Sequence, residues 1–226
     1  LGILKQDELT SEEFTNADTY HDDLLRVMND VSPETIQEVQ DLLQDMKDNV
    51  YSFETDSGKA DMITGKVLAS LQWSGDAVYA MDQAEEDDLY LDFAVPKEST
   101  NLWFDGWVML KDGIDEDARK QQVAESFVNF LSRPDNAVRN MYYIGYTSVI
   151  AGGEDDNNWN YGAEDGEEDT TEYPLGYFFS GDNSDPDYII TAPEEQTRRQ
   201  LYAQYPDEAA IERSAIMQYF DADASK

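Results

Sequence analysis

Residues 66–80 read KVLASLQWSGDAVYA, and the fold class turns on how this stretch divides. Lys66–Trp73 is nearly all apolar, which reads as a short strand buried on both faces. Ser74, Gly75 and Asp76 sit where that strand ends, and Ala77–Ala84 opens a helix. A strand running into a helix is the building unit of α/β proteins. Upstream, Ser32 is an N-cap with Pro33 at the first helical position and Glu34 suited to the helix dipole. Ile36, Val39, Leu42, Leu43 and Met46 share one face, so a core-facing helix is expected from Pro33 to about Val50. NVYSFET (49–55) reads as a second short strand, separated from KVLASLQW by a polar loop with Gly58 and Gly65. Downstream, LYLDFAVP (89–96) reads as a strand stopped by Pro96, followed by loop and strand over 101–113. Helices are expected from about Glu116 to Leu131, carrying Val123, Phe127, Val128, Phe130 and Leu131, and from near Pro134 to Gly145. After Gly152 the chain turns rich in Asp, Glu, Asn and Gly, and residues 152–187 read as a long acidic surface insertion. Two terminal helices, Glu194–Tyr205 and Glu208–Phe220, are punctuated by Pro206.

Composition narrows the function classes. The chain has 226 residues, 40% hydrophobic and 12% aromatic, enough for one large domain or two small lobes with a real core. Fifty acidic residues against fifteen basic ones give a net charge of -35, which excludes nucleic acid and anionic membrane surfaces as partners. A charged ligand should therefore be a cation, although the same excess also serves solubility or life in a salty or secreted setting. The absence of cysteine removes disulfides, thiol catalysis and thiolate metal sites, and it fits an extracytoplasmic protein. No apolar run approaches the ~18 residues that span a bilayer. The single histidine, His21, lies in a polar segment and reads as a surface residue. No Ser/His/Asp constellation, phosphate loop or cofactor motif is present, so no catalytic residue and no cofactor is assigned.

Two stretches carry ligand chemistry, LQWSGDAVYA (71–80) and NLWFDGWVML (101–110). Each sets a tryptophan two or three residues before an aspartate, as Trp73 with Asp76 and Trp103 with Asp105. An indole face beside a carboxylate suits an organic cation: the methylenes of a polyamine stack on the ring while each ammonium meets a carboxylate. Cation–π attraction contributes roughly 0.5–2 kcal/mol per good contact, and a charge-assisted hydrogen bond roughly 1.5–3 kcal/mol. Spacing alone equally allows core tryptophans and turn-capping aspartates. Tryptophan platforms and paired carboxylates also occur in carbohydrate-binding modules and glycosidases. A calcium-stabilised acidic surface protein is a further alternative. Asp156, Asn158, Asn160 and Glu167 fall at positions 1, 3, 5 and 12 of an EF-hand-like register, but Tyr161 stands where the sharp turn needs glycine, so no metal is assigned.

LQWSGDAVYAM, YLDFAVPKESTNLWFDGWVMLKDG and ESFVNFLSRPDNAVRNMYYIGYTS, in that order and spacing, resemble the polyamine-binding subunit of ABC transporters, the spermidine/putrescine-binding protein family. The resemblance covers Gly65 to about Ser148. It implies an α/β, type II periplasmic-binding-protein-like fold whose two lobes close on the ligand, here incomplete. It also implies roles: Trp73 as an aromatic wall, Asp76 meeting an ammonium, Trp103 stacked on the methylene chain, Asp105 paired with an amine, and Tyr146 completing the wall. Some members of the family carry serine where Asp76 stands, the aspartate occurring in putrescine binders. The implied partners are spermidine or putrescine and a transporter permease, at an extracytoplasmic location. In the family a first lobe supplies further aromatic residues and a carboxylate cluster ahead of the point matching Leu1, so the chain is expected to be the C-terminal portion of a longer protein, a permease fusion being one parent. On that view residues 1–102 and 149–226 belong mainly to the second lobe and 103–148 cross into the first.

Overall fold

The computed structural model describes residues 1–114, 118–152 and 161–219. In chain order its helices are α1 (Gln6–Leu9), α2 (Glu12–Thr15), α3 (Tyr20–Met28), α4 (Pro33–Met46), α5 (Gly58–Ile63), α6 (Ser74–Glu85), α7 (Lys111–Ile114), α8 (Ala118–Leu131), α9 (Pro134–Ile144), α10 (Gly176–Ser180), α11 (Gln200–Gln204) and α12 (Glu208–Glu212). The strands are β1 (Thr100–Leu102), β2 (Thr170–Pro174), β3 (Ile189–Pro193) and β4 (Ser214–Ile216). Among the described residues these make two two-stranded sheets, so the chain is mixed α/β with little sheet. It divides into two compact units, one of Leu1–Ser57, Ala94–Phe104 and Glu208–Lys226, the other of Gly58–Phe93 and Asp105–Asp207.

The first unit is built on Leu9, Leu24, Val27 and Ala215, with Phe14, Tyr20, Leu25 and Met28 packed around them. Ala215 brings the sheet to this cluster, because β4 runs parallel to β1 in the register Asn101↔Ala215. Side chains lock the pairing at both ends. Asn29 donates to the Ile216 carbonyl at 3.1 Å and accepts from the Gln218 N–H at 2.7 Å. The Ser99 hydroxyl donates to the Arg213 carbonyl at 2.8 Å, and Arg213 Nε donates to the Pro96 carbonyl at 2.9 Å. Helix α4 starts as its sequence dictates: Ser32 Oγ accepts from the Thr35 N–H at 3.3 Å and Pro33 opens the first turn. Its apolar stripe, however, is not core. Ile36 and Leu43 remain 41% and 45% exposed, and only Thr35 of the helix is buried.

In the second unit β2 pairs antiparallel with β3, and Tyr173, facing Ile190, enters a core with Met141, Leu175, Ala192, Leu201 and Tyr205. The Tyr173 hydroxyl is satisfied by the Tyr205 carbonyl. Residues 152–187 are thus not loop throughout; the hydrophobic pair Tyr173 and Leu175 was masked in the sequence by its acidic flanks. A second cluster joins Val78 and Met81 of α6 to Ala203 of α11. Beside it the fully buried Arg199 pairs with Glu85, meets Glu195 at 3.2 Å, donates to the Leu91 carbonyl at 3.1 Å and stacks over the Tyr90 ring. A buried cation so surrounded holds four segments together, and removing one partner of such an arrangement typically costs about 3–5 kcal/mol.

Helices α6, α8 and α9 lie where the periodicity puts them, α8 from Ala118 as the first described residue of that segment. The expected strands at 49–55, 66–73 and 89–96 do not form. Leu68 and Leu71 are 97% and 99% exposed instead of buried. A strand satisfies its N–H and C=O groups only through a neighbour, and none pairs with these stretches among the described residues. The last expected helix is also shorter: it ends at Glu212, and the chain turns into β4 because Ala215 is drawn into the first core.

Candidate functional site

The site residues that converge do so at the head of α6. Trp73 occupies the N-cap position in an extended conformation, and its side chain is 50% exposed. Asp76 falls in the first turn, where the helix dipole favours a negative charge. Behind it stands the turn that closes α9. Gly145 adopts a left-handed conformation, φ +77°, and its N–H donates to the Met141 carbonyl at 2.8 Å to terminate the helix. That places Tyr146 directly on Gly75.

Two glycines make this approach possible. A Cβ on Gly75 would lie 2.2 Å from the Tyr146 ring, and one on Gly145 would lie 2.6 Å from the Gly75 carbonyl. The turn is fixed from behind by α11: the Gln204 side-chain amide donates to the Gly145 carbonyl at 3.2 Å, and the Gln204 backbone carbonyl accepts from the Thr147 hydroxyl at 2.7 Å. The Tyr146 phenol is half-buried, with its ring against Gly75 and the Asp76 charge nearby. Burial first, then the charge of Asp76, raises its pKa above the ordinary tyrosine value, with a smaller contribution from the charge of Asp105. The phenol therefore stays a hydrogen-bond donor at neutral pH.

Asp76 and Tyr146 thus lie together at the head of α6, where Trp73 is the N-cap residue. Asp105 is exposed, in a stretch without regular structure. Trp103 belongs to the other unit, where it follows β1 and is half-buried. Sequence reasoning missed Lys59. Carried by the short α5, it places its ammonium 3.0 Å from Asp76 Oδ1, with Asp76 only 16% exposed. Nothing along the chain links residues 59 and 76; the pair exists because α5 packs on α6. The glycines of WSGDA and IGY were visible, but not that they face each other.

Chemically, a shielded carboxylate, a phenol and a half-exposed indole offer recognition of a cation with an apolar stem. They provide no nucleophile with an activating base. Among the described residues no group of three or more His, Asp or Glu is placed to hold a metal ion, and no helix is long and apolar enough to cross a membrane. Asp156, Asn158 and Asn160 of the EF-hand-like register lie outside the described residues.

Residues 10–165 match the family described as bacterial extracellular solute-binding protein. The chain is 27% identical over 120 residues to a putrescine/agmatine-binding protein of Pseudomonas aeruginosa, a match covering 52% of this chain and 31% of that protein. It is 30% identical over 111 residues to a putrescine-binding periplasmic protein of Escherichia coli, covering 48% and 29% of the two chains. To the spermidine/putrescine-binding periplasmic protein of the same organism it is 28% identical over 118 residues, covering 52% and 31%. The matched segment thus spans less than a third of the length of these relatives. No solved structure gives a significant match.

Proposed function

The chain belongs to the bacterial extracellular solute-binding protein family, and from that membership we propose that it captures linear polyamines, spermidine or putrescine, for an ABC transporter permease. The family binds solutes and performs no catalysis, and it implies a periplasmic-binding-protein-type fold. Trp73 and Tyr146 form the aromatic wall, Asp76 and Asp105 meet the ammonium groups, and Trp103 stacks on the methylenes. The lobe assignment belongs to the same proposal: residues 1–102 and 149–226 mainly in the second lobe, 103–148 crossing into the first. Capture takes place outside the cytoplasm.

The observation that carries this reading is the packing of Tyr146 on Gly75 at the head of α6, beside the shielded carboxylate of Asp76. A shielded carboxylate beside the rings of Trp73 and Tyr146 offers a cation with an apolar stem a charge complement that a neutral sugar does not use. The names of the three relatives above point the same way.

Isothermal titration with spermidine and putrescine tests it, with an oligosaccharide as control. Asp105→Asn and Trp103→Ala should each weaken polyamine binding about tenfold or more, a factor of ten corresponding to ~1.4 kcal/mol. Unchanged affinity in both variants, or a response to the sugar alone, rejects the assignment.

A further inference from the structure

Asp76 already has an ammonium. Lys59 Nζ lies 3.0 Å from Asp76 Oδ1, and both side chains are largely withdrawn from solvent, 28% and 16% exposed. A lysine side chain is four methylenes ending in an ammonium, the same chemical group that each end of putrescine presents. Lysine is also a compact point charge on a flexible stem, so it can leave a partner without dismantling the backbone. The Asp76 carboxylate is thus already paired before any ligand arrives. A second ammonium brought to this carboxylate would stand within a few ångströms of the first, in a place where water screens poorly.

We infer that Lys59 is a specificity-determining residue: its ammonium holds the position of a ligand ammonium at Asp76, so that a diamine binds there only by displacing it. This rests on the polyamine reading above. It goes further in naming the competitor and in predicting which ligands the competition penalises. An amine with one charged end, anchored at Asp105 and leaving a methyl terminus near α6, pays no such penalty. The Lys59–Asp76 pair therefore lowers the preference for putrescine over n-butylamine, which has the same four-carbon stem and a single ammonium.

The test uses the 226-residue chain, titrated with putrescine and with n-butylamine at fixed ionic strength and followed by tryptophan fluorescence. Lys59→Met keeps an unbranched stem and removes the charge. It should tighten putrescine binding about tenfold while changing butylamine binding little, so that the ratio of the two affinities widens. Lys59→Arg, which restores a cation, should bring the ratio back toward the starting value. Equal putrescine affinity in the starting chain and Lys59→Met, or a loss in the variant, overturns the inference and leaves the polyamine reading intact. If no variant responds to either amine while circular dichroism shows each folded, the polyamine reading fails and takes this inference with it. Should Lys59→Met not fold, the starting chain labelled with carbon-13 lysine supplies the answer. Putrescine at saturation should move the Lys59 ε-carbon resonance more than butylamine does. A stationary resonance beside a full fluorescence change overturns the inference.

Discussion

Gly145 and Gly65 share a left-handed backbone, φ +77° and +68°, yet their surroundings differ completely. An alanine at Gly65 meets nothing within 4 Å, whereas one at Gly145 presses its Cβ to 2.6 Å from the Gly75 carbonyl. Gly65→Ala should therefore cost only the strain of placing an L-residue in this region, roughly 1–2 kcal/mol. Gly145→Ala should cost a further 1–3 kcal/mol or so for overpacking, because the obstacle is backbone and cannot rotate aside. The gain from restricting the unfolded chain is common to both and cancels. Urea unfolding at constant slope reads the difference directly; equal losses would show that the head of α6 yields easily and does not fix Tyr146. At this scale the sequence displayed both glycines and all five proposed ligand residues. It withheld what each faces: Lys59 beside Asp76 is a contact across seventeen positions that no local pattern encodes.

Helices and strands fared differently, and the reason is where their hydrogen bonds go. Helix α4 needed only Ser32, Pro33 and its own carbonyls to form, so its start was legible residue by residue. Lys66–Trp73 has an equally clear apolar composition, but a strand has no internal partner, and here the segment runs without one and leaves Leu68 and Leu71 in solvent. Periodicity also states which face is apolar without stating what covers it. The stripes of α4 and α8 illustrate this, with Leu43, Val123, Phe127 and Phe130 all exposed. A sharp energetic contrast follows between two leucines on amphipathic helices of the same unit. Leu24, on α3, is 1% exposed within the first core, and Leu24→Ala should cost about 2–5 kcal/mol. Leu43→Ala, on α4, should stay within about 0.5 kcal/mol. Unfolding midpoints measured on both variants decide it; comparable losses would mean that α4 is covered in solution, for instance by a second copy of the chain.

At the scale of the whole molecule, charge dominates. If every one of the fifteen basic residues neutralised one acid, 35 of the fifty acidic residues would remain unmatched. Several of the ion pairs join close neighbours in sequence, as Arg26 with Asp23, Lys66 with Asp61 and Arg133 with Asp135, so they neutralise charge locally without tying distant segments together. Exposed pairs such as Arg26–Asp23 and Arg133–Asp135 are screened by solvent and add little. Repulsion among the unmatched carboxylates acts across the whole surface, and a large net charge destabilises the compact state. Added salt weakens both, but it shortens the Debye length from about 30 Å at 0.01 M to about 10 Å at 0.1 M, which removes the long-range repulsion before it reaches contact pairs. The thermal midpoint should therefore rise as sodium chloride is added over this range, although screening of ion pairs alone would lower it. Magnesium chloride at matched ionic strength separates general screening from cation capture: equal midpoints identify screening, and a higher midpoint with magnesium identifies carboxylates that bind the ion. A midpoint that falls with sodium chloride would mean that local attraction outweighs the surplus of 35 negative charges.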